Sequence, residues 1–388
     1  MDRVYICGYL NYPRGGAGAN YVQYLAGTFQ ELGKSVYIVS NINNDAIIKP
    51  TITEYRGAYL KPYQLSKNKL FHYLEFNYFI GKKVYDVLKR EPIDEKDLLI
   101  SYTRDPSILN AVLKVGKKTG AKTVVCLVEW FDENSFEKGV KDKEYRIFQK
   151  SFYSLNERYD YILPISTTIE EFYRHKGCKT FRIPCLTDTH EYSYKEKMIT
   201  EKRIFVFPAN GMMKDSLDKM ILAIHGLSSF DLQRLEFHVC GAKKTVLDLI
   251  KTLPKNVDFE SAIVLHDWME YEELVELYMK SHFLLLARGD SLMTRANFPS
   301  KVPETLTYGM IPICSDVGDY TKLYLKDGYN SIYIKGDSSE EIQKSLTRAL
   351  SMSDEEVLKM SRTCRKTAEI EFDYRNWAKK LGVFLGII

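Results

Sequence analysis

Asn297-Phe298-Pro299-Ser300-Lys301-Val302-Pro303-Glu304-Thr305-Leu306-Thr307-Tyr308-Gly309-Met310-Ile311-Pro312 is the stretch from which the rest of the chain can be read. Ser300 is expected to cap a short helix. Pro303 fits the first turn because N–H groups there lack intrahelical partners, and Gly309 suits a left-handed stop. The spacing predicts a helix over 301–308. Its opening amides and Lys301 form a place for a phosphate. Glu304, one turn in, is able to accept hydrogen bonds from two neighbouring hydroxyls such as those of a ribose. Residues 312–318 then read as a strand and turn. The plainer alternative is an ordinary capped helix before a buried strand.

Outward from this stretch, the chain of 388 residues is long enough for two domains with full cores. It has no apolar run of membrane-spanning length and no secretory signal, so a cytoplasmic location is expected. The 7 cysteines are scattered, several inside apolar runs, and none forms a CxxC pair; they read as reduced core thiols. Net charge is only +4, too small to argue for nucleic acid, and its excess lies in the first half of the chain.

Val4-Tyr5-Ile6-Cys7 reads as a first strand and Gly15-Gly16-Ala17-Gly18 as a loop opening a helix with Tyr21, Tyr24, Leu25, Phe29 and Leu32 at helical spacing. Val36-Tyr37-Ile38-Val39 completes a βαβ unit. A glycine loop here lets a phosphate or sugar approach the backbone, or is simply a turn. The dinucleotide fingerprint is incomplete: a third glycine is missing, and the second strand ends in Ser40-Asn41 without a ribose-binding acid. NAD is therefore not expected. Further strands end at Tyr102 and Val128, which places Arg104 and Glu129 where ligands collect in open α/β sheets, although a surface ion pair is the commoner use of such residues. Residues 182–186 read as the last strand of this domain, and the polar run 187–202 as a linker.

Residues 61–90 interleave Lys61, Lys67, Lys69, Lys82, Lys83, Lys89 and Arg90 with Phe71, Tyr73, Phe76, Tyr78, Phe79 and Tyr85. Such a segment can hold an anionic membrane surface or a lipid-linked anion. It can equally pack its aromatics on the sheet and leave its lysines in water.

After the linker, strand and helix alternate again from Ile204, which implies two doubly wound domains facing each other. At this point the residues resemble the GT-B glycosyltransferases, most like the family 4 retaining enzymes. The resemblance rests on elements met in order: Gly15-Gly16-Ala17-Gly18, the strand from Tyr161, Lys214 in the loop before Asp215, Ser300 to Glu304, Gly309-Met310-Ile311-Pro312, the turn Asp327-Gly328-Tyr329-Asn330-Ser331, and a terminal helix after Phe372-Asp373-Tyr374. It implies an α/β chain of GT-B architecture, two Rossmann-like domains facing a cleft. The boundaries are 1–186 for the acceptor side, 187–202 for the linker, 203–370 for the nucleotide-sugar domain, and 371–388 for a helix crossing back to the first domain.

The resemblance also implies a reaction: transfer of a sugar from a nucleotide-sugar to an acceptor hydroxyl with retained configuration, in bacterial surface polysaccharide, glycolipid or glycoprotein synthesis. Lys214 and Lys301 would neutralise the departing diphosphate, Glu304 would hold the ribose, and Glu129 and Arg104 would position sugar and acceptor. Gly15, Gly16, Gly18, Asn210 and Ser300 complete the expected donor contacts. No cofactor and no metal are expected; the chain has no Asp-x-Asp. Expected partners are the nucleotide-sugar and a saccharide, lipid-linked or protein acceptor, with peripheral membrane contact through residues 61–90. Two positions depart from the family pattern. Ala296 stands where the first of two paired glutamates is usual, and Glu129 stands where many relatives carry a histidine. Ala296 keeps open the alternative of a non-catalytic subunit that recognises substrate or stabilises a partner. Trp268 follows a strand near the place expected for the base, and a core or surface tryptophan is the equal alternative.

Overall fold

Most strands of the described residues are short apolar runs buried on both faces, such as Phe283–Leu286 and Ile311–Ser315. In the computed structural model, which describes residues 2–10, 12–13, 16–41, 54–208 and 214–388, the chain divides into two compact units. The first comprises Met1–Leu186 and Tyr374–Ile388, the second Thr187–Asp373.

In the first unit, β1 (Arg3–Gly8), β2 (Ser35–Asn41), β3 (Glu54–Tyr55), β4 (Ala58–Tyr63), β5 (Leu98–Tyr102), β6 (Lys122–Leu127) and β7 (Tyr161–Pro164) form one sheet of order β3-β4-β2-β1-β5-β6-β7. Only the β3–β4 hairpin is antiparallel. With that hairpin counted as one edge, this is the doubly wound order, whose direction reverses between β1 and β5. The helix Ala17–Gln30 returns the chain from β1, starting after Gly16 at φ +83°. A side chain at Gly18 would crowd the Tyr102 hydroxyl, its Cβ lying 3.3 Å away, so this glycine lets helix and sheet approach.

The terminal helix Arg375–Leu385 packs on this unit: Phe384 stacks on Phe181 with centroids 5.3 Å apart, and the Tyr374 ring lies against Gly27. Residues 182–186 are not the expected strand. Ile183 N–H does reach the Pro164 carbonyl (3.0 Å), but Pro184 has no N–H to extend the ladder.

The second sheet consists of β8 (Arg203–Pro208), β9 (Leu235–Cys240), β10 (Ile263–His266), β11 (Phe283–Leu286), β12 (Ile311–Ser315) and β13 (Ile332–Ile334), all parallel, in the order β10-β9-β8-β11-β12-β13. Its direction reverses between β8 and β11. The run 187–202, expected as a linker, is instead fastened to this unit. Lys197 is buried and donates to the Tyr278 carbonyl (2.6 Å), and Arg365 donates to the Thr189 carbonyl (2.6 Å). These side chains cap backbone oxygens that composition alone cannot match to donors.

All seven cysteines are free, and only Cys178 is not buried. No helix of the described residues is long and apolar enough to cross a membrane.

Candidate functional site

In the second unit the reversal of strand order lies between β8 and β11, and the loops leaving these strands carry a cluster of buried charge. Asp215 follows β8 and Arg288 follows β11; they are 4% and 3% exposed. Arg288 Nε donates to Asp215 Oδ1 (2.7 Å) and its Nη1 to Asn297 Oδ1 (3.0 Å). The Arg288 backbone N–H donates to Ser315 Oγ at the end of β12 (2.9 Å). Lys301 Nζ donates to Asp215 Oδ2 and stands 4.8 Å from the centroid of Phe207, the next-to-last residue of β8.

One carboxylate therefore carries two cations, which leaves a net positive charge in a poorly solvated place. Burial raises the pKa of Asp215, but the charges of Arg288 and Lys301 outweigh this and hold it below the ordinary aspartate value. Burial pulls the Lys301 ammonium below its ordinary value, resisted chiefly by Asp215. An anion arriving here would restore the favourable solvation that these cations have lost.

Lys301 opens the helix Lys301–Thr307, which is shorter than expected by one residue. Ser300 does not cap it: its backbone is already helical (φ −57°, ψ −25°) and its side chain makes no cap hydrogen bond. The opening amides are also partly engaged, Val302 N–H with the Pro299 carbonyl (3.0 Å) and Glu304 N–H with that of Ser300 (3.3 Å). Gly309 takes the left-handed stop at φ +69°.

Glu304 is half-buried, and burial lifts its carboxyl to about 7, against the pull of Lys301 and with a further push from Glu191. Arg365 fixes the far end of this helix by donating to the Thr307 carbonyl (2.7 Å).

Lys214 is half-buried beside Asp215, while Asn210 and Gly15 lie outside the described residues. Ala296 is fully buried at the end of the short helix Leu292–Ala296. Its neighbour Asn297 supplies the polar group instead, by accepting from Arg288. Trp268 is 67% exposed after β10.

In the first unit, Arg104 and Glu129 line one cavity of about 470 Å³ outside the carboxyl ends of β5 and β6. Arg104 pairs with Glu144 (3.1 Å) and lies 5.4 Å from the Phe131 centroid. The segment 61–90 is divided. Lys61 and Lys83 pair with Glu91 (2.8 Å) and Glu75 (2.9 Å), whereas Lys67, Lys69 and Lys82 are exposed. Leu70, Phe71, Tyr73, Tyr78 and Phe79 are also exposed, by 50% or more. Gly16 and Gly18 have backbone and packing reasons for their identity, as described above. Asp215 and Arg288 were not among the residues expected from sequence; the available signal was an arginine directly after a run as apolar as β11.

The glycosyl transferases group 1 family model matches residues 188–369, almost the whole second unit. No curated protein sequence matches. Among solved structures, sucrose-phosphate synthase from Thermosynechococcus elongatus is similar over 100% of this chain and 98% of its own, with a TM-score of 0.76 and 12% identity. The Anabaena protein HepE in complex with UDP-glucose is similar over 100% of both chains (TM-score 0.73, 11% identity). WaaG, a glycosyltransferase involved in lipopolysaccharide biosynthesis, is similar over 99% of this chain and 100% of its own (TM-score 0.69, 15% identity). At such identities the likeness carries the fold, and the fold is that of the GT-B glycosyltransferases. The second unit thus carries a glycosyl transferases group 1 domain.

Removing Asp215 leaves two buried cations facing each other. Asp215→Ala is expected to destabilise the second unit by about 3–5 kcal/mol, read as a lower urea midpoint for that unit's transition. An unchanged midpoint would show that the cluster is solvated and not held by its carboxylate.

Proposed function

We propose that the chain transfers a sugar from a nucleotide-sugar to an acceptor hydroxyl with retention of configuration and without a metal, with the donor held in the second unit. The observation that carries this reading is the net positive cluster Asp215–Arg288–Lys301 beside Glu304, at the point where strand order reverses. The donor diphosphate would meet Lys214, Lys301 and Arg288, and Glu304, once ionised, would accept hydrogen bonds from the ribose hydroxyls. As the glycosidic bond to phosphate breaks, negative charge grows on the diphosphate. Cations fixed in place favour that state over the ground state. With configuration retained, the departing phosphate oxygen takes the proton of the attacking hydroxyl, and Arg104 and Glu129 position the acceptor. The likeness to HepE bound to UDP-glucose supports a nucleotide-sugar donor, and that to WaaG supports a role in surface polysaccharide or glycolipid synthesis.

Lys214→Ala is expected to lower turnover by on the order of a hundredfold while changing donor affinity less. Wild-type turnover should survive EDTA. Full activity in the variant, or activity lost in EDTA and restored by manganese, contradicts this mechanism.

We further propose that the exposed aromatic and basic face of residues 67–82 meets an anionic membrane surface from the cytoplasmic side. Binding to vesicles containing anionic lipid should be strong at low salt and fall with added salt, and it should weaken when Lys67, Lys69 and Lys82 become Gln. Sedimentation with no bound protein at low salt would remove this role.

A further inference from the structure

The cavity outside β5 and β6 is built in a way that its expected residues, Arg104 and Glu129, do not account for. Two π-helical turns lie in this unit among the described residues, Glu75–Phe79 and Ser151–Leu155, and both line this cavity. A π turn wraps an extra residue into a helix at the expense of hydrogen-bond geometry, and such turns are frequent at functional sites. Here they aim Phe76 and Asn77 from one side and Ser151 and Phe152 from the other.

The polar groups of the rim are largely satisfied by one another. Arg104 is paired with Glu144, the Asn77 amide oxygen with Lys143, and Ser151 Oγ donates to the Arg104 carbonyl (2.6 Å). The remaining wall is apolar, with Phe76, Ile80, Phe131, Ile147, Phe148 and Phe152. Asn156 is the exception. It lines the same cavity at 3% exposure and its Nδ2 donates to the Tyr173 hydroxyl (3.3 Å), but its Oδ1 has no hydrogen-bond partner among the described residues. A buried acceptor left without a donor is costly, and a hydroxyl of a bound molecule would satisfy it.

The geometry points to an amphiphilic acceptor, a saccharide carried on an alkyl chain. One hydroxyl reaches Asn156 Oδ1, and the first carbons of the chain lie against Phe76, the half-buried aromatic of the wall. An alkyl chain fits better than a compact aromatic group because the apolar surface does not stop at the cavity. The helical run that supplies Phe76 also carries Leu70, Phe71, Tyr73, Tyr78 and Phe79 on its exposed side, where a longer chain would continue. This inference names the acceptor class for the transferase reading above and rests on it.

Calorimetric titration of the full chain with octyl, methyl and p-nitrophenyl β-D-glucopyranosides, below the micellar concentration of the octyl compound, tests the assignment. The octyl glucoside should bind about tenfold more tightly than the methyl glucoside. That preference should largely disappear in Phe76→Ala and in Asn77→Trp, which fills the cavity from a half-buried position, and persist in Phe71→Ser on the outer face. Equal affinity for octyl and methyl compounds overturns the proposal. So does a preference abolished only by Phe71→Ser, which would put the chain on the surface, or a p-nitrophenyl glucoside that binds more tightly than the octyl compound. A separate assay of nucleotide diphosphate release from a panel of nucleotide-sugars divides the two claims. Octyl-selective binding without any release would count against the transferase reading alone, and release with no chain preference in the acceptor would count against the cavity alone.

Discussion

The second unit depends on one carboxylate. Asp215 lies between Arg288 and Lys301, nearly without solvent, where two strands adjacent in space and far apart in sequence reach their carboxyl ends. Either cation alone would be expensive to bury, and so would Asp215 without them. Together they tie the loop after β8, the loop after β11 and the start of the helix Lys301–Thr307 into one arrangement. Ser315 and Asn297 take up the remaining polar groups of Arg288, and the Phe207 ring lies beneath the Lys301 ammonium. The cluster keeps a positive charge because two cations share one anion, and that surplus suits it to a diphosphate.

Much of the fold was legible because a parallel strand buried on both faces is written as an unbroken apolar run. Val4–Cys7 and Val36–Val39 lie inside the strands Arg3–Gly8 and Ser35–Asn41 that they announced. β4 was not legible, because Lys61 and Pro62 interrupt its pattern. They are tolerated because, among the described residues, β3 pairs only with Ala58 and Tyr59, so Pro62 lies where β4 is an edge. The run 187–202 looked like a linker because its polar residues find their partners, such as the Tyr278 carbonyl for Lys197, only after folding.

The candidate site was legible in part. Lys301 and Glu304 follow from the local spacing of a short helix. The spacing also suggested Ser300 as a cap, which the structure does not bear out; Asp215 and Arg288 reach the helix start from the loops after β8 and β11. Asp215 and Arg288 escaped notice because their pairing spans 73 residues and joins two strand ends, a relation with no local signature. In the first unit the mixture of lysines and aromatics was visible. Its division into an outward face and a cavity wall was not, because that depends on π turns which shift the helical register partway along.

The central claim is that Glu304 stands in a poorly solvated place prepared for the ribose of a nucleotide beside a surplus of positive charge. Its carboxyl, raised to about 7 in the free protein, is partly protonated at neutral pH. Accepting two ribose hydroxyls requires the ionised form, so binding must release a proton, and affinity must rise as pH increases through 7. The direct measurement is calorimetry of nucleoside diphosphate binding at pH 7 in buffers of different ionisation enthalpy. The account predicts release of about half a proton per nucleotide in the wild type and almost none in Glu304→Gln. Binding that releases no proton in the wild type, or the same number in both proteins, would contradict it.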